Sequence, residues 1–279
     1  MLERFGIVDF VHGSIMFWNG GLYDGNYFFI RDGIPKTQPD SLADYSSQHA
    51  AKFPSVYQRK PSTRIVKQDN LHMTIQVMKQ AIRQRIIADR EQLTAAERVC
   101  LSQAISERIA KLNAYRTANT VLAYMSFGAE FSTEEWVQQA FRDDKRVLLP
   151  KVNRATKELD VYHVTNLQHD LAPGQWNIRE PLVERCARIN TLKEVDFILL
   201  PGIAFGRDGA RLGYGGGFYD KLLARNKDAN QGCLPALVAG AFAIQLVEGL
   251  PQEATDHKVE WVVTENETIQ CVSDKHMNR

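Results

Sequence analysis

Residues Pro201–Arg225 read PGIAFGRDGARLGYGGGFYDKLLAR and carry glycine at 202, 206, 209, 213, 215, 216 and 217. Glycine in this density costs chain entropy on folding. Its chemical use is to let bare main-chain N–H groups converge on an anion, with a following helix N-terminus adding partial positive charge. Arg211 supplies a rigid fork for phosphate oxygens, and Asp220 supplies a carboxylate suited to a phosphate-bound magnesium. The stretch contains no G-x-x-x-x-G-K-[ST]. It begins a G-x-G-x-x-G at Gly213 and Gly215, but Phe218 stands where the third glycine belongs. From the residues alone two readings stay open: an anion loop at a sheet edge, or a glycine-rich turn that serves packing.

Lys79 and Arg83 form a second candidate pair, four apart on one predicted helix face. Like charges at that spacing repel mildly unless an anion lies between them. The competing reading is a solvated basic face, continued by Arg85 and Arg90.

The elements that must position these residues follow from periodicity. Ile75, Met78, Ile82 and Ile86 recur at helical spacing within residues 74–93 and predict an amphipathic helix. Thr94 with Glu97 marks a capping box for a helix from Ala95 to about Leu112. Ser132 with Glu135 predicts another capped helix. Strands are expected in NTVLAYMSF, KRVLLPKV, ELDVYHV, EVDFILLPG, PALVAGAF, VEWVVTE and ETIQCVS. EVDFILL and PALVAGAF are continuously apolar, as strands covered on both faces are. The expected fold class is α/β: a three-layer, open, mostly parallel sheet with helices on both faces, of the sugar-phosphate isomerase or CoA-transferase kind. Ligands of such sheets bind beyond the carboxyl ends of the strands, where the glycine stretch begins.

Residues 1–72 show no sustained period and read as an irregular extension, either a disordered arm or residues upstream of a start at Met73. Residues 73–279 read as the catalytic domain. A net charge of +1 gives no general electrostatic case for nucleic acid or an anionic membrane. Cys100, Cys186, Cys233 and Cys271 lack zinc-site or disulfide-framework spacing. No apolar run approaches a membrane span, and MLERFGIVDF is unlike a secretion signal. A cytoplasmic monomer is expected.

PGIAFGRDGARLGYGGGFYDKLL resembles the signature of the 5-formyltetrahydrofolate cyclo-ligase (5,10-methenyltetrahydrofolate synthetase) family, and the likeness runs from Met73 to about Asn266. The resemblance implies ATP- and Mg²⁺-dependent conversion of 5-formyltetrahydrofolate to 5,10-methenyltetrahydrofolate. It also implies the site. KQAIR resembles the family's K-x-x-I-R element, so Lys79 and Arg83 would contact ATP. Arg211, Leu212, Gly213, Tyr214, Gly215, Gly216, Gly217, Phe218 and Tyr219 would enclose the nucleotide, with Tyr214–Phe218 also facing folate. Arg211 and Asp220 would be catalytic. YMSFGAEFST resembles Y-x-S-x-x-x-E-x-x-T, which gives Glu130 to the polar edge of the pterin and Met125 to the pocket wall. WNIREP gives Trp176 to the folate rings. LPQEATDHKVEWVVT makes Asp256 the second magnesium carboxylate beside Asp220, with His257 a satisfied loop histidine.

The chain departs from the family pattern in lacking the extra basic residues often found at positions 214 and 216, and in having Phe218 where a tyrosine is usual. The alternatives are a folate- or nucleotide-binding module without chemistry, or a sugar-phosphate isomerase or acyl-CoA transferase. For the latter pair no separate carboxylate base or nucleophile motif is found.

Overall fold

The structure, a computed structural model, describes residues 5–11, 14–19, 28–30, 63–174, 177–229 and 235–271. The chain forms two units, residues 1–62 and 63–279. In the first, β1 (Phe5–Val11), β2 (Ser14–Asn19) and β3 (Phe28–Ile30) pair antiparallel in that order. These segments are dense in aromatic and β-branched residues, which suits strands even where alternation is weak.

The second unit opens with α1 (Thr63–Glu91), which starts ahead of the Thr74 expected from sequence. Next come α2 (Ala95–Lys111), the short α3 (Asn113–Arg116), β4 (Thr120–Leu122) and α4 (Thr133–Arg142). β5 (Arg146–Asn153), β6 (Glu158–Val164), β7 (Leu171–Pro173), β8 (Arg179–Pro181), β9 (Ala187–Ile189) and β10 (Phe197–Leu199) follow. The chain continues through β11 (Ala204–Phe205), β12 (Arg211–Leu212), α5 (Phe218–Ala229), β13 (Ala236–Gly240), β14 (Trp261–Val263) and β15 (Thr268–Gln270).

The main sheet runs β15-β14-β13-β10-β4-β5-β6-β9. Its five central strands, β14 to β5, are parallel; the edges are antiparallel. Alternation along each strand divides the core. Val121, Phe197, Leu199 and Val238 pack with Ile105, Ile109, Trp136 and Val137 of α2 and α4. Leu122, Ile198, Leu237 and Ala239 face the other way, toward Leu222 and Leu223 of α5. The layers are therefore helix, sheet, helix, as expected. No described helix is long and apolar enough to cross a membrane.

Thr94 accepts from the Glu97 amide, and the Glu97 side chain accepts from the Thr94 amide, so the first capping box is present. The second is not. Ser132 sits at the N-cap of α4 without a side-chain cap bond. Thr133 takes the local role instead: its Oγ1 accepts from Ser126 N at 2.9 Å, and its amide donates to Ser126 Oγ at 3.1 Å. The exchange staples the loop after β4 to the start of α4.

The apolar stripe expected on α1 is only partly right. Met78 is 47% exposed, whereas Lys79 and Arg90 are buried with Ile86. The inward face runs Lys79, Arg83, Ile86, Arg90, again at helical spacing but mostly cationic. Ile86 packs on Ile203, Ala204 and Leu212 of the β11–β12 hairpin and on Leu250. The charges beside it face the site.

Candidate active site

Beyond the carboxyl end of β10, Pro201 and Gly202 lead into the hairpin, where Ala204 pairs with Leu212 and Phe205 with Arg211. Gly209 at its tip has φ +86°, and a Cβ there would lie 2.3 Å from the Val259 carbonyl oxygen, so no other residue fits. Leu212 is buried, which leaves only its backbone for a ligand. Gly213–Gly217 then form the open loop that starts α5 at Phe218. Gly215 and Gly217 both have positive φ, +102° and +64°. Tyr219 and Phe218 are half-buried against the core behind the loop. Arg83 reaches across from α1 and donates from Nε to the Gly213 carbonyl at 2.8 Å, tying helix to loop. Its burial lowers its pKa, against the pull of Asp256 and Glu253.

Two ion pairs lie beside this loop. Lys79 Nζ is 2.8 Å from Glu253 Oε2 and 2.6 Å from Asp256 Oδ2. Burial alone would lower the lysine pKa; the hydrogen bonds it donates to Asp256 and Glu253 outweigh this and the net direction is up, so the ammonium stays charged. Arg211 Nη2 is 2.7 Å from Asp220 Oδ1, and its Nη1 donates to the Pro201 carbonyl. The same Asp220 oxygen accepts from the His257 amide at 3.1 Å. Burial pushes the Asp220 carboxyl up, but His257 and the Arg211 guanidinium outweigh it and hold the group well below the usual carboxylate range. Because His257 follows Asp256 directly, the two aspartates are joined through one peptide. His257 Nδ1 is buried 3.7 Å from Asp220 Oδ1, close enough to feel its charge, and makes no hydrogen bond among the described residues. The Nδ1 side of the ring therefore lacks the hydrogen bond that a satisfied loop histidine, as expected from sequence, would make.

Asp220 Oδ2 and Asp256 Oδ1 take no hydrogen bond among the described residues, and Arg211 Nε is buried without one. No cluster of three or more His, Cys, Asp or Glu suited to a metal occurs among the described residues. Two carboxylates with one open oxygen each fit magnesium that arrives with phosphate and water ligands. They do not form a cage that would hold the ion alone.

The second wall comes from the loop after β4. Glu130 is buried; its Oε1 accepts from the Tyr214 hydroxyl at 2.7 Å and its Oε2 from the Phe127 amide at 3.0 Å. Arg90 Nη2 donates to the same hydroxyl at 3.0 Å. Tyr214 also packs its ring on Phe127, with centroids 5.2 Å apart. Beside them lies a cleft of about 270 Å³, bordered by Met125, Ser126, Phe127 and Gly128 and by Asn177 and Arg179 opposite. Trp176 lies outside the described residues.

Lys79, Arg83, Arg211, Asp220 and Asp256 thus meet around the glycine loop. Glu130 and Tyr214 link that loop to the cleft lined by Met125. Sequence reasoning missed Glu253 and Arg90. Glu253 lies three residues before Asp256, and its long-range bonds from Lys79 and Gln76 mark it. Arg90 belongs to the solvated basic face of the competing reading, yet it is buried; its spacing of seven from Arg83, two turns along one face, is the available signal.

The 5-formyltetrahydrofolate cyclo-ligase family model matches residues 75–265. A 5-formyltetrahydrofolate cyclo-ligase from Haemophilus influenzae is 32% identical over 64% of this chain and 92% of its own. One from Mus musculus is 28% identical over 70% of this chain and 97% of its own. The solved 5,10-methenyltetrahydrofolate synthetase of Aquifex aeolicus, 29% identical, superposes with a TM-score of 0.60 over 72% of this chain and all of that one. With the family match spanning the β4 loop, the glycine loop and the Glu253–Asp256 turn alike, the chain belongs to the 5-formyltetrahydrofolate cyclo-ligase family.

Proposed function

We propose that the chain converts 5-formyltetrahydrofolate and ATP to 5,10-methenyltetrahydrofolate, ADP and phosphate, in a magnesium-dependent reaction. The formyl oxygen attacks the γ-phosphorus and ADP leaves. The O-phosphorylated formyl carbon is then electrophilic enough for nitrogen 10 to attack. A carbon–nitrogen bond forms, the carbon–oxygen bond breaks, and phosphate departs as the N10 proton is lost. An amide-like oxygen leaves poorly until it is phosphorylated, so the protein's work is positioning and charge stabilisation.

In this reading Lys79, Arg83 and Arg211 bind the triphosphate together with the Gly213–Gly217 amides, and Asp220 and Asp256 hold magnesium. Magnesium when bound neutralises charge on the phosphates. Glu130 accepts from the pterin N–H edge beside Met125, and Trp176 is assigned to the folate rings on the family resemblance alone. The observation that carries the reading is the pairing of two buried cations with two aspartates, drawn from three distant segments, at the mouth of a glycine loop. With magnesium and nucleotide bound, Lys79 and Arg211 would face phosphate, and Asp220 and Asp256 would be the residues to hold the ion. The test is formation of the methenyl chromophore by purified protein with ATP and magnesium. No absorbance change under those conditions would remove the proposal's main support.

We further propose a cytoplasmic monomer, in keeping with the free thiols of Cys100, Cys186 and Cys271. Catalysis is assigned to residues 73–279, with the first 72 as an extension that contributes no site residue.

A further inference from the structure

Arg90 lies in the last turn of α1, is 3% exposed, and belongs to none of the nucleotide or metal contacts above. Its Nη2 meets the Tyr214 hydroxyl, and its Nε is buried without a hydrogen-bond partner. A guanidinium can only donate. The tyrosine oxygen must therefore accept from Arg90, and its single proton must point to Glu130 Oε1, 2.7 Å away. Glu130 Oε2 is held by the Phe127 amide. Each carboxylate oxygen takes one hydrogen bond from the described residues, and by its chemistry can accept a second, so the pair would match two adjacent N–H donors such as those on the aminopyrimidinone edge of a pterin. We propose that Arg90 is a positioning residue for the folate site, which acts through the Tyr214 hydroxyl to keep Glu130 an ionised, oriented acceptor. This rests on the reading that Glu130 binds the pterin.

The electrostatics give Arg90 a restraining part in this relay. Burial raises the Glu130 pKa and sets the net direction; the Tyr214 and Phe127 bonds and the Arg90 charge hold that rise in check. The groups that face Glu130 are Tyr124 after β4, Tyr214 of the glycine loop, Tyr219 of α5 and Arg90 of α1. Three are neutral phenols, each with its pKa raised by burial. Arg90 alone among them bears a charge opposite to the carboxylate. Without it a buried carboxyl among tyrosines shifts toward the protonated acid, which offers one acceptor fewer and one unwanted donor.

The test is steady-state kinetics against each substrate separately, across pH. Arg90→Gln is expected to raise the KM for 5-formyltetrahydrofolate about tenfold, the effect of losing one charge-assisted contact, and to leave the KM for ATP within about twofold. It should also move the acid limb of kcat/KM for folate to higher pH, since Glu130 then needs less acid to protonate. Arg90→Lys should recover part of both effects. Equal changes in both KM values, or an unmoved acid limb, would overturn the proposal. If Arg90→Gln does not fold, Tyr214→Phe carries the test: a folate-specific rise in KM supports the relay, and an unchanged folate KM overturns it. Glu130→Gln separates the two layers. An unchanged folate KM there defeats the pterin assignment itself, whereas a raised one with an inert Arg90→Gln defeats only the role of Arg90.

Discussion

Replacing Asp220 by asparagine tests the centre of the site because it keeps the shape and removes the charge. The asparagine oxygen can still accept from Arg211 Nη2 and from the His257 amide, the two partners of Asp220 Oδ1. What is lost is the counter-charge to a guanidinium whose side chain is 4% exposed, beside a carboxylate 24% exposed. Removing one partner of a fully buried pair costs about 3–5 kcal/mol. The retained hydrogen bonds and the partial exposure of Asp220 bring this down to about 2 kcal/mol. For a unit of this size that lowers Tm by about 4–8 °C. The pH dependence has a definite sign. Asp220 has a folded pKa below its unfolded one, so its stabilisation is complete above the ordinary aspartate value and is lost as pH falls through the folded value. The stability gap between wild type and variant should be constant near neutrality and narrow in strong acid.

On turnover the expected loss is about a hundredfold or more, the scale of removing one preorganised charge from a transition state. Added magnesium should recover part of that loss, because one carboxylate ligand remains at Asp256. The assay pairs thermal unfolding with initial rates of methenyl formation over a magnesium titration. A folded Asp220→Asn protein with wild-type turnover refutes the metal assignment. A large rate loss with an unchanged magnesium requirement shows that Asp220 acts only by holding Arg211.

Lys79→Met should raise the KM for ATP at least tenfold by removing the ammonium that now lies between Glu253 and Asp256; an unaltered ATP KM in steady-state rates contradicts the nucleotide role. Gly209→Ala should destabilise the protein by about 2–4 kcal/mol, since it combines a positive φ with a clash against the Val259 carbonyl. Denaturant unfolding reads it, and a loss below about 1 kcal/mol would mean the hairpin tip is adaptable. A chain beginning at Met73 should retain the turnover of the full chain, as every proposed site residue lies beyond that point; a large fall in kcat would give the first 72 residues a part in catalysis.

Much of the scaffold was legible because its signals are local. ELDVYHV alternates and is β6 to the residue; Thr94 and Glu97 cap α2 as their spacing requires; α5 starts at Phe218, where the glycines stop. Ser132 failed as a capping residue for an equally concrete reason: Thr133 next to it had a better partner in Ser126, seven residues back and brought near by the turn of the loop. The three strands within residues 5–30 went unseen because their composition, rather than an alternating pattern, carries the signal.

The candidate site divides the same way. By itself the sequence determined the family, the parallel sheet, the glycine loop and the identities of the cations and acids around it, since each is written in contiguous residues. Only the tertiary structure decided which charge meets which. Lys79 finds Glu253 and Asp256 more than 170 positions away, Arg90 is buried against Tyr214 while Met78 is left in water, and Glu130 is claimed by a loop 84 residues on. Helical period says which side chains share a face. It does not say whether that face meets oil, water or a counter-ion, because burial and long-range electrostatics depend on the packed surroundings.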